Sequence, residues 1–239
     1  MDDVIKIKAA LKDLISIPSD KTSNFFKTGA GHYAAQDIFI GVTVPNIRKV
    51  AKDFGHITLE DIQKLISSPI NEERLLALII LVNQYKKASS RVKETIYQFY
   101  LSNVAQVNNW NLVDSSAHLI IGAHLDDKDR SSLLTLAKSE IMWERRIAIV
   151  ATWAFIRKND LKWTFTISSL LLQDTHDLIH KAVGWMLREA GKRNLAALVL
   201  FLDQNAKTMP RTMLRYAIEK FPEDQRQNYL LKSKTSRTL

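Results

Sequence analysis

Cysteine is absent from the 239-residue sequence, and glycine and proline are scarce, with 7 and 5 residues respectively. The absence of cysteine excludes disulfides, thiolate nucleophiles and cysteine-ligated zinc sites. The glycine and proline residues are too few for the closely spaced turns of a β-sandwich or β-barrel. These absences predict an all-α protein.

Long hydrophobic runs and a signal-peptide core are also absent. The longest apolar run lies near residues 75–82, far short of the roughly 20 residues that a membrane span needs. Residues 1–16 mix acids and lysines with apolar side chains, unlike a secretory signal. We therefore expect a cytoplasmic protein with no membrane partner.

Negative charge is in deficit, because 25 Asp and Glu face 34 Lys and Arg and leave a net charge of +9 at pH 7. A surplus of this sign favours a polyanionic partner such as nucleic acid. Apolar residues make up 46% and charged residues 25% of the sequence, which is typical of a folded globular protein. Intrinsic disorder is therefore excluded.

An alanine-centred pattern recurs every 34–36 residues. The segments NEERLLALI (71–79) and MWERRIAIV (142–150) align position by position, and the five anchors are Ala77, Leu112, Ala148, Ala182 and Ala217. This period, with two helices per repeat, is typical of a stacked helical solenoid. We predict a single domain over 1–239: a right-handed α-solenoid of HEAT-like repeats over 45–232, a less regular helical segment over 1–44 and a tail over 233–239.

The same register places one residue per repeat on one face, two positions before each anchor: Leu75, Trp110, Arg146, His180 and Arg215. A row that faced the core would be aliphatic throughout, whereas this row carries an indole, two guanidiniums and an imidazole. We therefore predict that the row lines a concave, basic groove.

Asp114 follows Trp110 by four residues, so the two side chains lie on the same face of a helix. Two interpretations of Asp114 stay open at this point. The carboxylate is aimed at a developing positive charge, or it is an aspartate in the first turn of a helix, favoured by the helix dipole.

Arginine pairs and a basic-aromatic stripe mark the later helices. Arg145 and Arg146 open one helix, and guanidinium groups suit phosphate oxygens, although an inter-repeat salt bridge is an equal alternative for Arg145. Lys181, Trp185 and Arg188 lie at i, i+4 and i+7 of another helix, where the indole is either core or part of a site. Arg211 and Arg215 add positive charge further along.

Metal and cofactor sites are not expected. His176 and His180 have the spacing of a zinc-binding HExxH motif, but Asp177 replaces its glutamate, which favours structural roles for both histidines. The glycines at 29–31 form neither a dinucleotide-binding nor a Walker motif. Gly184 inside a helix indicates the close approach of a neighbouring helix or of a ligand.

Four segments resemble the AlkC/AlkD-like DNA alkylation-repair glycosylases, most closely the AlkD branch: GVTVPNIRKVAK (41–52), WNLVDSSAHLIIG (110–122), MWERRIAIVATWAFIRK (142–158) and HKAVGWMLREAGK (180–192). The resemblance covers residues 20–230 and implies a HEAT-like solenoid whose basic concave face holds duplex DNA. It implies base excision repair by hydrolysis of the N-glycosidic bond of N3- and N7-alkylated purines. It also implies no metal or cofactor, and an open groove in place of a pocket for an extruded base.

On this resemblance the catalytic carboxylate is Asp114, the active-site tryptophans are Trp110 and Trp185, and a DNA-contacting arginine is Arg146. With the stripe and the arginine pairs, the predicted DNA-binding set is Arg145, Arg146, Lys181, Arg188, Arg211 and Arg215. A monomer is expected, because a solenoid groove needs no partner subunit.

Two departures from the family pattern bear on activity. Asn109 and Asn111 flank Trp110 where the AlkD pattern has a second tryptophan and an acid. A family aromatic expected near His32 has no clear counterpart. Since some relatives bind DNA with little glycosylase activity, the alternative function is non-catalytic binding of damaged, distorted or branched DNA. A third possible function is that of a protein-interaction scaffold.

Overall fold

The computed structural model describes residues 3–235, with side chains at 3–18, 20–22 and 24–231. Within this range the protein is all-helical and contains no strand, which confirms the predicted class and is consistent with an α-solenoid. Two isolated bridges pair Ile15 with Val42 and Ile38 with Ile70. No helix of the described range is long and apolar enough to cross a membrane.

The chain divides into two compact units, Met1–Ser116 and Ala117–Leu239. Three features stay predictions: that the chain forms a single repeat domain, that its repeats stack into a right-handed superhelix, and that they line a groove. Of the predicted tail over 233–239, residues 233–235 belong to the last helix, and 236–239 lie outside the described residues.

The first unit is built around one buried helix. Its helices are α1 (Asp3–Lys12), α2 (Ser19–Phe26), α3 (Val44–Asp53), α4 (Leu59–Ile66), α5 (Asn71–Lys87), α6 (Ser90–Ser102) and α7 (Trp110–Ala117), with a 3₁₀ turn at Val104–Gln106. Helices α3, α4 and α6 pack against α5. Because α5 has neighbours on several sides, its central stretch over 75–82 is apolar on every face, and the helix is buried along most of its length.

The second unit begins with a π-helix at His118–Gly122 and packs around α12. Its further helices are α8 (Ser131–Ala137), α9 (Met142–Ala151), α10 (Trp153–Ile156), α11 (Lys162–Leu170), α12 (Asp177–Arg193), α13 (Leu195–Asn205), α14 (Arg211–Ala217) and α15 (Glu223–Thr235). Helix α12 contacts α9, α13 and α14, and its inner face is fully buried.

Side-chain contacts reproduce the predicted repeat register. The five anchor residues are each no more than 1% exposed. Arg74 donates to the carbonyl of Ser68 at 2.7 Å, and Arg145, its equivalent in the aligned segment, donates to the carbonyl of Ser139 at 2.9 Å. Each arginine thus binds the carbonyl six residues before it, so the aligned segments 71–79 and 142–150 share this contact.

A close helix crossing explains Gly184. A Cβ atom at this position would lie 2.5 Å from the carbonyl oxygen of Met213 and 2.5 Å from the Cβ of Tyr216. Because both of these atoms belong to α14, the neighbour that requires glycine here is a helix rather than a ligand.

Glu72 at the start of α5 fixes the segment that leads into α3. Its carboxylate accepts hydrogen bonds from the backbone N–H groups of Ile40, Gly41 and Val42 at 2.8–3.4 Å. Gly41 has a φ of +86°, and a Cβ there would lie 1.9 Å from the carbonyl oxygen of Ile17. The glycine and the buried carboxylate together hold the start of α3 against the segment that precedes α2.

Candidate DNA-binding and catalytic site

Trp110 and Asp114 lie one turn apart on α7, and both side chains are half-buried. Both line a cavity of about 490 Å³ within the first unit. The structure therefore brings together the two residues that the helical spacing pairs. It places the Asp114 carboxylate at a cavity, neither sealed in the core nor fully exposed.

Aromatic residues of the N-terminal segment complete this cavity. Phe26 stacks on the Trp110 indole, with ring centroids 5.0 Å apart and planes 17° from parallel. Phe39 stacks on Phe26 at 4.3 Å, and the edge-to-face contact of Phe25 with the indole is 5.8 Å. The Trp110 Nε1–H donates to the Tyr33 hydroxyl at 3.1 Å. The indole is thus held by contacts that do not involve its own helix.

The sequence analysis missed Phe25 and Phe26. It expected one aromatic near His32 and found no counterpart, whereas the structure places two phenylalanines of α2 and the Tyr33 hydroxyl beside Trp110. The adjacent pair of phenylalanines in the least regular part of the chain is the signal that could have indicated them.

A buried polar network accounts for both asparagines that depart from the family pattern. Asp37 accepts hydrogen bonds from Arg74 at 2.5 Å, from Asn71 at 3.1 Å and from Asn109 at 2.6 Å. Asn111 donates to the side-chain oxygen of Asn71 at 2.6 Å. The two asparagines therefore tie the start of α7 to the start of α5, on either side of the indole that faces the cavity.

The negative charge of Asp114 affects the pKa of a neighbouring buried residue, Tyr100. Tyr100 is fully buried and shares a 2.9 Å hydrogen bond with the Ser116 hydroxyl. Burial raises the pKa of Tyr100, the hydrogen bond with Ser116 opposes this rise, and the negative charge of Asp114 adds to it. Tyr100 therefore stays a neutral hydrogen-bonding group beneath α7.

Trp185 belongs to an aromatic cluster of the second unit. Its ring lies edge-to-face against Trp153 at 5.0 Å, and Trp153 packs on the His118 ring at 4.5 Å. Trp185 is half-buried, so it is not a fully enclosed core residue. Its participation in the same site as Trp110 stays a prediction.

Both arginines at the start of α9 bind other residues of the protein. Arg146 is 5% exposed and donates to the carbonyl of Leu178 at 2.5 Å, which joins α9 to the start of α12. Arg145 pairs with Asp174 at 2.6 Å and donates to the carbonyls of Ser139 and Glu140. For Arg145 the structure shows a salt bridge, which was one of the two roles considered for this residue.

The residues of the predicted groove row differ in exposure. Leu75 is 2% and Arg146 is 5% exposed, although Leu75 lines the same cavity as Trp110 and Asp114. That the row lines a groove stays a prediction. The low exposure of Arg146 accompanies the hydrogen bond that its guanidinium donates to the Leu178 carbonyl. Arg215 on α14 is exposed as predicted.

The remaining basic residues divide between surface and structural roles. Lys181 and Arg215 line one cavity of about 520 Å³, where Lys181 also pairs with Asp177 at 2.7 Å. Arg188 forms an ion pair with Glu219, and Arg211 donates to the carbonyl of Leu230 on α15 at 2.5 Å. Lys181 and Arg215 are therefore the two predicted DNA contacts that the structure brings together at a cavity.

His176 and His180, which have the spacing of a zinc-binding motif, form hydrogen bonds at the start of α12. The Nδ1 of His176 accepts from the N–H of Leu178 at 3.1 Å, and burial lowers the pKa of His176. The Nε2 of His180 lies 2.5 Å from the carbonyl oxygen of Asp174. Within the described residues, no group of three or more histidine or acidic side chains is placed to hold a metal ion.

Comparison with known proteins identifies the family. Residues 11–221 match the family described as DNA alkylation repair enzyme, and this match spans most of the chain. The chain belongs to that family. Membership assigns it a role in DNA alkylation repair, with DNA as the implied substrate.

A solved structure has a similar fold. It is described as a predicted DNA alkylation repair enzyme from Enterococcus faecalis, with 16% sequence identity and a TM-score of 0.65. The similarity covers 86% of this chain and 95% of that one. No curated protein matches this sequence.

Proposed function

We propose that this protein is a monofunctional DNA glycosylase that hydrolyses the N-glycosidic bond of N3- and N7-alkylated purines in duplex DNA. The observation that carries the proposal is the position of Asp114. Its carboxylate lies one helical turn from Trp110 at an aromatic-walled cavity, in a chain of the DNA alkylation repair family.

The chemistry that such a site supports begins with the substrate. Alkylation at N3 or N7 gives the purine a positive charge, so the base leaves with the electrons of the glycosidic bond without a strong general acid. The deoxyribose left behind is oxocarbenium-like, as in glycoside hydrolysis. The Asp114 carboxylate stabilises that cation electrostatically. A water molecule adds to C1′ and gives its proton to Asp114 or to solvent.

Aromatic and basic side chains supply the rest of the proposed mechanism. The Trp110 indole favours a nearby cation through its electron-rich face, and Trp185 is proposed to contact the deoxyribose in the same way. Lys181 and Arg215 bind backbone phosphates and fix the register of the duplex. Contacts with DNA by Arg145, Arg146, Arg188 and Arg211 stay a prediction, because each of these side chains also binds another residue of the protein. No step of this mechanism needs a metal or cofactor.

One observation favours a second candidate function. Asn109 and Asn111, which replace a tryptophan and an acid of the AlkD pattern, are held in the Asp37 network. The described site therefore has one fewer acid and one fewer indole than that pattern. The second candidate is a non-catalytic protein that binds damaged, distorted or branched DNA through the same basic surface.

Chromatography of freed bases separates the two functions. The protein is incubated with uniformly methylated duplex DNA, and the supernatant is analysed for 7-methylguanine and 3-methyladenine. A glycosylase releases these bases with multiple turnovers. A non-catalytic binder retains DNA with a steep salt dependence and releases no base above the spontaneous rate, which would overturn the proposed hydrolysis.

A further inference from the structure

A second cavity of the first unit lies at the C-terminal ends of α3 and α5. Its volume is about 790 Å³, within the roughly 300–1,000 Å³ of typical ligand sites. Its lining includes Lys52 of α3, His56 in the turn that follows, Lys86 and Lys87 of α5, and Val92 of α6. We call it the lysine cavity, after its three lysines. None of the predicted site residues lines it.

The lysine cavity is separate from the cavity beside Asp114. Helix α3 begins at the Asp114 cavity, which Val44 lines, and ends at the lysine cavity, which Lys52 lines. On α5, Leu75 lines the first cavity and Lys86 the second. These two residues are eleven positions apart, which corresponds to about 16 Å along the helix axis. A ligand of the lysine cavity therefore does not occupy the proposed catalytic site.

Three lysines determine the charge of the lysine cavity. Lys52, Lys86 and Lys87 are all exposed. Among the residues that the structure describes, none of the three forms an ion pair. Asp53 is the one acid in the described lining. Three positive charges against one negative charge leave the cavity cationic.

Hydrogen bonds within the fold occupy several carbonyl groups around the lysine cavity. Carbonyl groups at a helix C-terminus carry partial negative charge and oppose an anion. The Gln84 Nε2 donates to the carbonyls of Gly55 and Ile57 at 3.1 and 2.8 Å. The N–H groups of Phe54 and Ala88 bind carbonyls in the last turns of α3 and α5. These bonds reduce the repulsion that an anion would meet, whereas the lysine ammonium groups stay available as donors.

The helix dipole does not account for this arrangement by itself. A lysine in the last turn of a helix interacts favourably with the dipole of that helix, and Lys52 and Lys86 stand in this position on α3 and α5. Lys64, in the last turn of α4, also pairs with Asp61 at 3.2 Å. The dipole explains each lysine singly. It does not require the lysines of two helices to meet, without ion pairs, at one open cavity.

The lining selects a ligand by its charge. No tryptophan, tyrosine or phenylalanine is among the described residues that line the cavity, so a base finds no ring on which to stack. Lysine presents a compact ammonium charge, which suits single phosphate oxygens. Several ammonium groups around one open cavity suit a chain of phosphates. DNA, the partner that family membership implies, carries such a chain on each strand.

We infer that Lys52, Lys86 and Lys87 bind the phosphate backbone of undamaged DNA, at a site apart from the one proposed for the lesion. Contacts of this kind carry no sequence information and supply affinity that falls with salt. The inference rests on the DNA partner of the family and not on the proposed hydrolysis. It adds the first unit to an interface that the predicted DNA-binding set confines to α9, α12 and α14.

The salt dependence of binding to undamaged duplex DNA tests the lysine cavity. In the triple variant Lys52→Gln, Lys86→Gln, Lys87→Gln, the slope of log affinity against log salt should fall by about two to three, because each phosphate contact contributes about 0.9. The triple arginine variant at the same positions keeps the charges and should keep the slope. Fluorescence anisotropy across a salt series measures both, and thermal unfolding confirms that both are folded.

A matched control removes three other exposed lysines, with Lys138→Gln, Lys162→Gln and Lys207→Gln in one protein. These positions lie just after α8, at the start of α11 and after α13, outside the lysine cavity and the predicted DNA-binding set. The control loses the same net charge as the first triple variant. It should therefore reproduce any effect of net charge and leave the slope nearly unchanged.

The outcomes separate this inference from the proposed hydrolysis. An unchanged slope in the glutamine variant of the lysine cavity, or an equal loss of slope in the control, would overturn the inference. With saturating methylated duplex at low salt, the glutamine variant should release 7-methylguanine at the wild-type rate, and a slower rate would contradict the separation of the two sites. The predicted loss of slope in a protein that releases no base would retain the lysine cavity and overturn the hydrolysis.

Discussion

Phe26 of α2 stacks on Trp110 of α7, with ring centroids 5.0 Å apart and planes 17° from parallel. The contact joins the least regular part of the chain to the helix that carries Asp114. The position of the proposed catalytic helix therefore depends on residues far from it in sequence, and several measurements follow from this dependence.

Replacing Phe26 by alanine should lower both stability and activity. The change removes the contacts with Trp110 and Phe39. Because Phe26 is half-buried, we expect a loss of about 2–3 kcal/mol in the free energy of unfolding, below the range for fully buried phenylalanines. Release of 7-methylguanine should also fall, because Phe26 holds the Trp110 indole beside Asp114. Urea unfolding measures the first effect, and equal stability of Phe26→Ala and the exposed-site variant Phe25→Ala would contradict the account.

Asp37→Asn should destabilise the first unit strongly. The carboxylate is the buried partner of Arg74, and its loss leaves the guanidinium without a counter-charge. Breaking such a pair costs about 3–5 kcal/mol. Adding Arg74→Met should recover part of the loss, because the pair then disappears together. Lys6→Ala, which breaks the exposed pair with Asp3, should leave the free energy of unfolding almost unchanged. Similar costs for the two single variants would refute the role of the network.

Two glycine-to-alanine substitutions should have opposite effects. At Gly184 the new Cβ would lie 2.5 Å from the Met213 carbonyl oxygen, and relieving that overlap should cost about 1–3 kcal/mol. At Gly55 the nearest atom is 3.6 Å away, and the substitution should be neutral or stabilise by up to about 1 kcal/mol. Thermal unfolding of both variants decides the matter, and a stable Gly184→Ala would show that α12 and α14 are not closely packed there.

Arg215→Gln should weaken DNA binding without affecting the fold. Arg215 is exposed beside Lys181, so losing one phosphate contact should reduce the slope of log affinity against log salt by about 1. Arg193→Gln, the same charge change at the exposed end of α12, should leave the slope nearly unchanged. Fluorescence anisotropy across a salt series measures both, and identical slopes would remove Arg215 from the interface.

The sequence was sufficient for the regular parts of this molecule. The 34–36-residue period located the buried anchors such as Ala148 and Ala182, and the spacing of Trp110 and Asp114 indicated that they share a helix face. These inferences succeed because helical periodicity fixes direction locally.

Contacts made across the fold could not be predicted in the same way. Arg146 is buried where it binds the carbonyl of Leu178, and Phe26 contributes to the site by stacking on Trp110. Neither contact follows from the helical or the repeat period of the sequence. Asn109 departs from the family motif, and only the structure shows that it binds Asp37. Side-chain pairs distant in sequence are therefore where structure was needed.

The most direct test of the account is base release by Asp114→Asn, with Asp53→Asn, an exposed aspartate of the same unit, as the matched control. Both proteins are incubated with N7-methylated duplex DNA, and freed 7-methylguanine and DNA affinity are measured side by side. The account predicts that Asp114→Asn loses at least about a hundredfold in rate while its DNA affinity stays within about threefold of that of Asp53→Asn. Undiminished base release by Asp114→Asn would contradict it.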